Sequence, residues 1–227
     1  MIEYVHVIRK MREVTENMEI IYSGGGLVVA EKTPGSVCED AESGSLLREV
    51  SAVCGKKVYP VHRIDRIAGG CVLYALSPRA AEEVRSAGIH KTYLFVTVGS
   101  LPEKSGRLYD LLYHDQAHNK TFTVTRMRRG VREAELTYEV MAECDGLALV
   151  SAELITGRTH QIRVQFASRG TPLAGDSRYG GGAGVPALWS HSLTFVSHGK
   201  KTTVCSYPPD AGYWKKFDVR EQVKCRT

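Results

Sequence analysis

The sequence has no long apolar stretch. No run of apolar residues in the 227-residue chain approaches the roughly 20 that cross a bilayer. The beginning of the chain, MIEYVHVIRKMREVTENME, is too polar to be the apolar core of a signal peptide. We therefore expect no membrane association and a cytoplasmic location.

Closely spaced cysteines are also missing. The six cysteines are spread along the chain, with no C-x-x-C pair and none of the short spacings that bind zinc. We expect free thiols in a reducing compartment. His114 and His118 have H-x-x-x-H spacing, but that spacing binds a metal well only on a helix, and YHDQAHNK has the composition of a turn. No metal ion and no organic cofactor are expected.

Other hydrolase signatures are absent. The chain has no G-x-S-x-G sequence, which α/β-type serine hydrolases place at the nucleophile. Cys71 lies in an apolar, strand-like run, where a buried thiol is expected rather than a nucleophile. The glycine-rich segment TPLAGDSRYGGG, with Asp176 and Tyr179, matches neither a phosphate-binding loop nor a dinucleotide-binding fingerprint.

The composition is that of a globular protein. Hydrophobic residues make up 43% of the chain and charged residues 24%, and the length suits one large domain or two small ones. No repeat or low-complexity linker marks an internal boundary. The stretch up to Asn17 is a candidate extension, so we expect a short segment, residues 1–17, followed by one folded domain, residues 18–227.

Positive charge is concentrated in one segment. The net charge is +5, but NKTFTVTRMRRGVR, from Asn119 to Arg132, contains five basic residues and no acidic one. Two interpretations are open: a solvated hairpin, or a strand pair that tracks the phosphates of a nucleic acid. In the second case four side chains are the candidate contacts: Lys120, Arg126, Arg128 and Arg129.

Strand and helix signals follow one another along the chain. EIIYSGGGLVVAEKTPGS predicts two short strands joined at the three glycines 24–26. SLLREVSAVCG has apolar residues at helical spacing, and SPRAAEEVRSAG begins with a capping serine and ends at Gly88. KTYLFVTVGS is apolar on both faces, which predicts a buried central strand with Tyr93, Phe95 and Thr97 on one side.

The following segments predict the type of sheet. REAELTYEVMAE alternates apolar and polar residues, as expected of a strand with one solvated face. A turn at Asp145-Gly146 connects it to LALVSAELIT in a hairpin. Short strands joined by tight turns, with three or four helices among them, predict an α+β fold: a mixed, largely antiparallel central sheet with flanking helices.

The segment LITGRTHQIRVQFASRG, residues 154–170, predicts a polar corner between a strand and a helix that Thr159 could cap. Unpaired backbone N–H groups at a helix start favour an anion. Four residues at this corner are therefore candidate substrate contacts: Arg158, Thr159, His160 and Gln161. The alternative is an ordinary exposed first turn.

The segment VHRIDRIAGG places one carboxylate, Asp65, between two arginines. Together with KTYLFVTVG, LITGRTHQIRVQFASRGTPLAGDSRYG and LWSHSLTFVSHGKKTTVCSYPP, it resembles the RluA-type pseudouridine synthases. The resemblance covers residues 18–210, nearly the whole chain, and several motifs in fixed order are more specific than any one of them. It implies a pseudouridine synthase-like fold, with residues 18–227 as the catalytic domain. The implied reaction converts a uridine in structured RNA, ribosomal or transfer RNA, to pseudouridine.

By this resemblance Asp65 is the catalytic aspartate. In the family the bond from uracil N1 to ribose breaks, the base turns, and its C5 joins the same sugar carbon. The carboxylate acts while ionised, either as a nucleophile on the anomeric carbon or as a base at the neighbouring carbon. Arg163 matches the arginine that pairs with this aspartate and keeps it charged. Tyr93 matches the tyrosine of the K-x-Y motif, which stacks on the uracil.

The resemblance also implies contacts around the aspartate. The target nucleotide must leave its stack, and Arg63 matches the arginine that can occupy the gap. His62 is a further candidate contact, although it fits a structural hydrogen-bonding residue better than an acid or a base. Arg66 fits a phosphate contact or a solvated charge, and Gly70 a tight approach to the sheet.

Three positions depart from the family pattern. Ala68-Gly69-Gly70 stands where Thr-Ser-Gly is usual, Gln165 where a histidine is common, and His198-Gly199 where a histidine-proline pair is common. None is one of the three residues assigned to catalysis, so the departures concern substrate contacts and loop stability. Residues 1–17 are too few for the S4-type RNA-binding domain of many relatives. RNA selection is then expected to fall to the catalytic domain of a monomeric protein.

An RNA-binding or RNA-folding protein of the same fold is the competing hypothesis. A binder does not need an ionised aspartate paired with an arginine. Asp65, Tyr93 and Arg163 are all present, so the sequence favours the enzyme.

Overall fold

A computed structural model describes residues 18–39 and 45–225, so the expected extension, residues 1–17, lies outside the described residues. The strands in the described residues are β1 Met18–Gly24, β2 Leu27–Lys32, β3 Tyr59–Pro60, β4 Gly69–Ala75, β5 Ile89–Val98, β6 Ser105–Asp115, β7 Lys120–Val124, β8 Val131–Cys144, β9 Leu147–Leu154, β10 Leu188–Ser197 and β11 Lys200–Cys205. The α-helices are α1 Leu46–Val53, α2 Pro78–Ala87, α3 Gln161–Ala167 and α4 Val219–Gln222, and 3₁₀ turns span Ser177–Tyr179 and Gly212–Lys216.

The chain divides into two compact units. The first consists of Met1–His90, Ser190–Tyr207 and Cys225–Thr227, and the second of Lys91–Trp189 and Pro208–Lys224. Strands, helices and tight turns occur as the sequence predicts, and the named strand pairs are antiparallel, so the predicted α+β class is confirmed. The grouping of residues 18–227 into one catalytic domain stays a prediction. Within the described residues, no helix is both long and apolar enough to span a membrane.

In the first unit the strand order is β1-β2-β4-β10, with β3 paired to β4 and β11 to β10. The predicted glycine turn between β1 and β2 is confirmed, because Gly25 and Gly26 have φ values of 58° and 75°. Helix α2 begins as predicted, with the Ser77 hydroxyl accepting a bond from the Ala80 N–H at 3.2 Å. Apolar side chains from β2, β4, β10 and α2 form the core of this unit.

In the second unit the strand order is β5-β9-β8-β6-β7. Helix α3 packs against one face of this sheet, where the Phe166 ring lies 4.7 Å from the Phe95 ring and 5.5 Å from the Tyr138 ring, centroid to centroid. The alternation predicted for β8 is confirmed, since Ala134 and Leu136 are fully buried. All residues of α3 up to Phe166 are buried, so the helix has no solvated face.

The basic segment does not form a hairpin of its own. β7 and β8 both pair with β6, which lies between them. The connection, residues 125–130, therefore crosses β6, and the Arg128 guanidinium lies 5.2 Å from the centroid of the Tyr113 ring. The solvated hairpin and the strand pair are therefore both wrong as descriptions of the pairing, because a local pattern predicts strands, whereas pairing with β6 is decided by tertiary contacts. Contact of the basic residues with phosphate stays a prediction.

The prediction that all cysteines are free is also wrong. Cys205, the last residue of β11, forms a disulfide with Cys225, at a Cα–Cα distance of 6.2 Å. The sequence gives no spacing signal for this pair, since 20 residues separate the two. Cys38, Cys54, Cys71 and Cys144 are free, and Cys71 is buried as expected.

The departure at His198-Gly199 has a backbone reason. The two residues form the turn between β10 and β11, with φ values of 49° and 73°. Proline is restricted to a φ near −65°, so the histidine-proline pair common in the family cannot adopt this turn.

Gly70 is fixed by a close approach of two strands. A Cβ atom added there would lie 2.3 Å from the Ser190 carbonyl oxygen, and the φ angle is 101°. Gly35 has a similar φ of 98° but open space around the Cβ position. We predict that Gly70→Ala lowers the free energy of unfolding by at least about 3 kcal/mol, and Gly35→Ala by only about 1 to 2 kcal/mol. Urea denaturation measures both, and equal losses would contradict the clash.

Candidate active site

Asp65 lies in a loop that is held from beneath by a buried lysine. The side chain of Lys32 is fully buried. Its ammonium donates to three backbone carbonyls: Arg66 at 3.0 Å, Ala68 at 2.7 Å and Thr33 at 3.0 Å. The Asp65 carbonyl in turn accepts a bond from the Ala68 N–H at 3.0 Å. The turn that follows the aspartate is therefore closed on itself and anchored to the end of β2.

Burial affects the charge of Lys32. Desolvation lowers the pKa of its ammonium to about 8, while the nearby Cys38 and Asp65 side chains act in the opposite direction. The favourable Coulombic effect places Asp65 close enough to interact with this cation. A positive group thus lies under the loop of the aspartate within the first unit.

Further contacts hold the two ends of this loop. The His62 Nε2 atom accepts a bond from the Leu73 N–H at 3.2 Å, which agrees with the structural role considered for it. The Arg66 Nε atom donates to the Gly35 carbonyl at 2.9 Å, so Arg66 braces the loop instead of only facing solvent. Arg63 is exposed. Arg63 and Arg66 are thus exposed, and Asp65 between them is half-buried.

In the second unit Arg163 forms a buried ion pair. Its Nε and Nη2 atoms donate to the two oxygens of Asp176 at 2.6 and 2.9 Å. Arg163 is 4% exposed and Asp176 1%. A bidentate pair of this kind fixes the plane of the guanidinium. In the sequence, Asp176 stands out only as a member of a glycine-rich segment. It lies thirteen residues after Arg163, within the segment that resembles the family, and this position is the one sequence feature that could have indicated the ion pair.

Tyr179 connects Arg163 to the predicted polar corner. The Arg163 guanidinium lies 4.8 Å from the Tyr179 ring centroid. The Tyr179 hydroxyl accepts from the Thr121 N–H at 2.8 Å and forms a second hydrogen bond with His160 Nδ1 at 2.9 Å. Burial and the nearby Arg163 charge lower the pKa of His160 to about 3, so its ring is neutral and can accept this bond.

The corner before α3 differs from the predicted one. His160, not Thr159, occupies the position before the helix, with a left-handed backbone at φ 56°. His160 and Gln161 are buried. The Gln161 Oε1 atom accepts from the Arg158 N–H at 3.0 Å and from the Thr156 hydroxyl at 2.8 Å. Both side chains bind protein groups. Arg158 is exposed, and its Nε atom donates to the Glu133 carbonyl at 2.8 Å. The prediction that Thr159 caps this helix is wrong. His160 is held at the cap position by Tyr179, a residue 19 positions away that the local sequence pattern does not reveal.

Tyr93 lies on the same side of the sheet as α3. Phe95 contacts Phe166 of this helix, and residues two apart on a strand share a face, so Tyr93 points to that side as well. Tyr93 is 6% exposed and pairs with Ala152 of β9. The structure therefore brings two predicted catalytic residues of the second unit, Tyr93 and Arg163, to one side of its sheet.

Gln165 stands where the family commonly has a histidine, and only one end of its amide is bonded: the buried Oε1 atom has no hydrogen-bond partner among the described residues. Its Nε2 atom donates to Asp110 on β6 at 2.8 Å. Asp110 also accepts two bonds from Arg169, at 2.9 and 3.2 Å. Glutamine at this position thus forms a hydrogen bond between α3 and β6.

The basic residues lie in β7 and in the loop that follows it. Lys120 begins β7, and Arg126, Arg128 and Arg129 are exposed in the crossing loop 125–130. The two histidines considered as metal ligands bind protein groups: His114 the Thr121 hydroxyl at 3.0 Å, and His118 the Asp115 carboxylate at 2.6 Å. Among residues 18–39 and 45–225, no group of three or more His, Cys, Asp or Glu side chains is placed to hold a metal ion.

Comparisons with known proteins identify the family. A profile of the family described as RNA pseudouridylate synthase matches residues 26–168. An uncharacterised RNA pseudouridine synthase of Zymomonas mobilis, ZMO0505, is 30% identical over 203 residues, which cover 83% of this chain and 92% of the relative. The chain therefore belongs to the RNA pseudouridine synthase family, and the resemblance found in the sequence is confirmed.

Two further comparisons define the extent of the similarity. YhcT of Bacillus subtilis, also an uncharacterised RNA pseudouridine synthase, is 32% identical over 180 residues, or 73% of this chain. The match spans only 59% of the length of YhcT. The structure of human RNA pseudouridylate synthase domain containing 4 matches with a TM-score of 0.71 at 19% identity, over 91% of this chain and 94% of that chain. This last similarity shows a shared fold.

The buried lysine predicts a pH dependence of stability. The pKa of Lys32 is about 8 in the folded protein, against 10.5 for a lysine side chain in water, so the unfolded chain binds more protons between these values. Stability from this group therefore rises with pH in that window. We predict that wild type gains about 1 to 2 kcal/mol over Lys32→Met between pH 7.5 and 9.5.

Denaturant unfolding at several pH values measures this difference. The matched control is Lys56→Met, which removes an exposed lysine. The control should follow wild type at every pH. A Lys32→Met variant that also parallels wild type would show that the folded protein does not lower the pKa of this group.

Proposed function

We propose that this protein is an RNA pseudouridine synthase that isomerises a uridine in a structured ribosomal or transfer RNA. Asp65 is the carboxylate that acts at the ribose, Arg163 is the cation that keeps it ionised, and Tyr93 stacks on the uracil. The N1–C1′ bond breaks, the C5–C1′ bond forms, C5 releases its proton, and N1 takes up a proton, so the product has the same composition as uridine. The proposal includes a cytoplasmic, monomeric protein.

The observation that carries the proposal is the anchored aspartate in a chain of this family. A catalytic carboxylate must be held in one position while RNA displaces water around it. The three carbonyl bonds of Lys32 fix the turn after Asp65 and supply a nearby positive charge. This arrangement supports a role of Asp65 in chemistry, because a protein that only binds RNA has no use for a rigidly held, ionised acid.

Arg163 is supported in the same way. Its guanidinium is fixed by Asp176 and by the ring of Tyr179. A guanidinium held in one plane offers its remaining N–H groups in a defined direction. We assign these groups to the catalytic carboxylate, and Arg63 and His62 to the space around the flipped nucleotide.

Asp65→Ala tests the chemistry. We predict that this variant releases no tritium from RNA labelled at uridine C5, with RNA that lacks its own modifications as substrate, while its fold and RNA affinity stay nearly unchanged. The physical reason is that the carboxylate forms and breaks bonds at the ribose and contributes little to packing. Asp210→Ala, which removes an exposed carboxylate elsewhere, serves as the control and should retain wild-type release.

Two outcomes would contradict this assignment. An Asp65→Ala protein that stays active shows that another group carries the reaction. Absence of release by wild type on total cellular RNA, with tight binding by both proteins, favours the RNA-binding alternative.

The basic segment supplies the contacts to phosphate in this proposal. We predict that replacing Arg126, Arg128 and Arg129 together by glutamine weakens RNA binding and lowers the slope of log affinity against log salt by about 2, since each lost phosphate contact on single strands accounts for about 0.7. The rate on saturating RNA should not change. Filter binding over a range of salt concentrations measures the slope.

A matched control uses two exposed cations of the first unit. The double variant Lys200→Gln/Lys201→Gln removes exposed positive charge from β11. It should leave the slope close to that of wild type. An unchanged slope in the arginine variant would remove the loop 125–130 from the RNA surface.

A further inference from the structure

One phenylalanine of this protein is exposed. Four of the five phenylalanines are at most 7% exposed: Phe95, Phe166, Phe195 and Phe217. Phe122 in the middle of β7 is 43% exposed. Its neighbours along the strand, Thr121 and Thr123, are polar. A large apolar ring on a polar strand at the surface is a candidate contact with a ligand.

Cations flank this ring. The Lys120 ammonium lies 5.5 Å from the centroid of Phe122 and 5.8 Å from that of Tyr179. On the other side of the same tyrosine lies the guanidinium of Arg163, at 4.8 Å from the ring centroid. Cations and aromatic rings thus alternate from the buried Arg163 to the exposed Phe122. Three contacts, through Tyr179 and Lys120, therefore connect Arg163 to the ring of Phe122.

The surface around Phe122 is positive and partly apolar. Its cross-strand neighbour, Tyr113, lies under Arg128 of the crossing loop. The next residue of that loop to the N-terminal side, Met127, is 57% exposed. Asp115, the cross-strand neighbour of Lys120, accepts bonds from the Ala117 N–H at 3.0 Å and from His118 at 2.6 Å. Its charge is thus partly satisfied within its own turn.

We propose that Phe122 and Lys120 form a binding site for an unpaired nucleotide of the substrate RNA. The base stacks on the exposed face of the Phe122 ring, and the Lys120 ammonium contacts the adjoining phosphate. Aromatic side chains bind unpaired bases in this way without reading their identity, since every base has a π-face. This site rests on the proposed function and adds to it a contact with an unpaired part of the RNA, on the face of the sheet opposite α3.

The same face of the sheet offers a matched control. Tyr109 on β6 is also an exposed aromatic, at 53%. It lies four residues along the strand from Tyr113 and therefore on the same face as Phe122. Its cross-strand neighbour is Glu135, and its hydroxyl is bonded to Glu133. Glu135 also forms an ion pair with the exposed Arg107, so two carboxylates and one cation surround Tyr109, whereas Phe122 has Lys120 beside it and Arg128 over its neighbour Tyr113. The two aromatic side chains are thus similarly exposed, but the charge around them differs.

The test compares affinities for a fluorescently labelled single-stranded oligouridine, by anisotropy. We expect Phe122→Thr to bind it about 5- to 100-fold more weakly, the range that stacking of one base gives on substitution. Threonine is a good strand residue, so β7 is retained. Tyr109→Thr should bind like wild type. A blunt RNA duplex, whose bases are stacked on each other, should bind Phe122→Thr and wild type equally.

Salt and fluorescence distinguish the two parts of the site. Phe122→Thr should leave the salt slope unchanged, because stacking releases no counterions, whereas Lys120→Gln should lower it by about 0.7. A Phe122→Trp variant places an indole on the surface, while both native tryptophans are buried. Its emission should be quenched when oligouridine binds.

The outcomes separate this proposal from the proposed function. Wild-type affinity of Phe122→Thr, an equal loss in Tyr109→Thr, or an indole that oligouridine does not quench would each overturn the site, even if wild type forms pseudouridine. Conversely, a loss confined to Phe122→Thr with no tritium release by wild type would retain the site and remove the enzymatic function.

Discussion

The second unit is organised around two opposite charges that are buried together. Arg163 and Asp176 are both almost completely removed from solvent, and neither could be buried alone as an ion. Such a pair contributes little net stability against an apolar pair of the same volume, but removing one partner leaves an uncompensated charge and costs about 3 to 5 kcal/mol. Its effect is to fix geometry. The two parallel hydrogen bonds fix the orientation of helix α3 relative to the loop that carries Asp176.

Tyr179 extends this constraint to the surface. Its ring lies against Arg163, and its hydroxyl binds the backbone of β7 and the ring of His160. The edge strand of the sheet is thereby tied to the start of α3. One side chain thus connects the buried Arg163 to β7, which carries the first part of the basic segment.

In the first unit, a buried lysine fixes the loop of Asp65. The Lys32 ammonium donates to three carbonyl oxygens in place of water. One carbonyl follows the end of β2, and the other two belong to the turn after Asp65. Burial of a single lysine is unfavourable, as its lowered pKa shows, and the carbonyl bonds offset part of that cost. The tight packing of Gly70 against Ser190 fixes the other end of this segment. The acid is thus held by the backbone, so its position does not depend on the side chain alone.

What the sequence determined by itself were the local elements and the family: the glycine turn after β1, the capped helix after Ser77, the buried strand of Tyr93 and the order of the motifs. These depend on nearby residues, whose periodicity and turn chemistry are visible along the chain. Tertiary structure alone decided that β6 lies between β7 and β8, that Cys205 meets Cys225, and that Asp176 and Tyr179 surround Arg163. These contacts join residues far apart in sequence, and their energies arise from burial and pairing in three dimensions, which no local pattern contains.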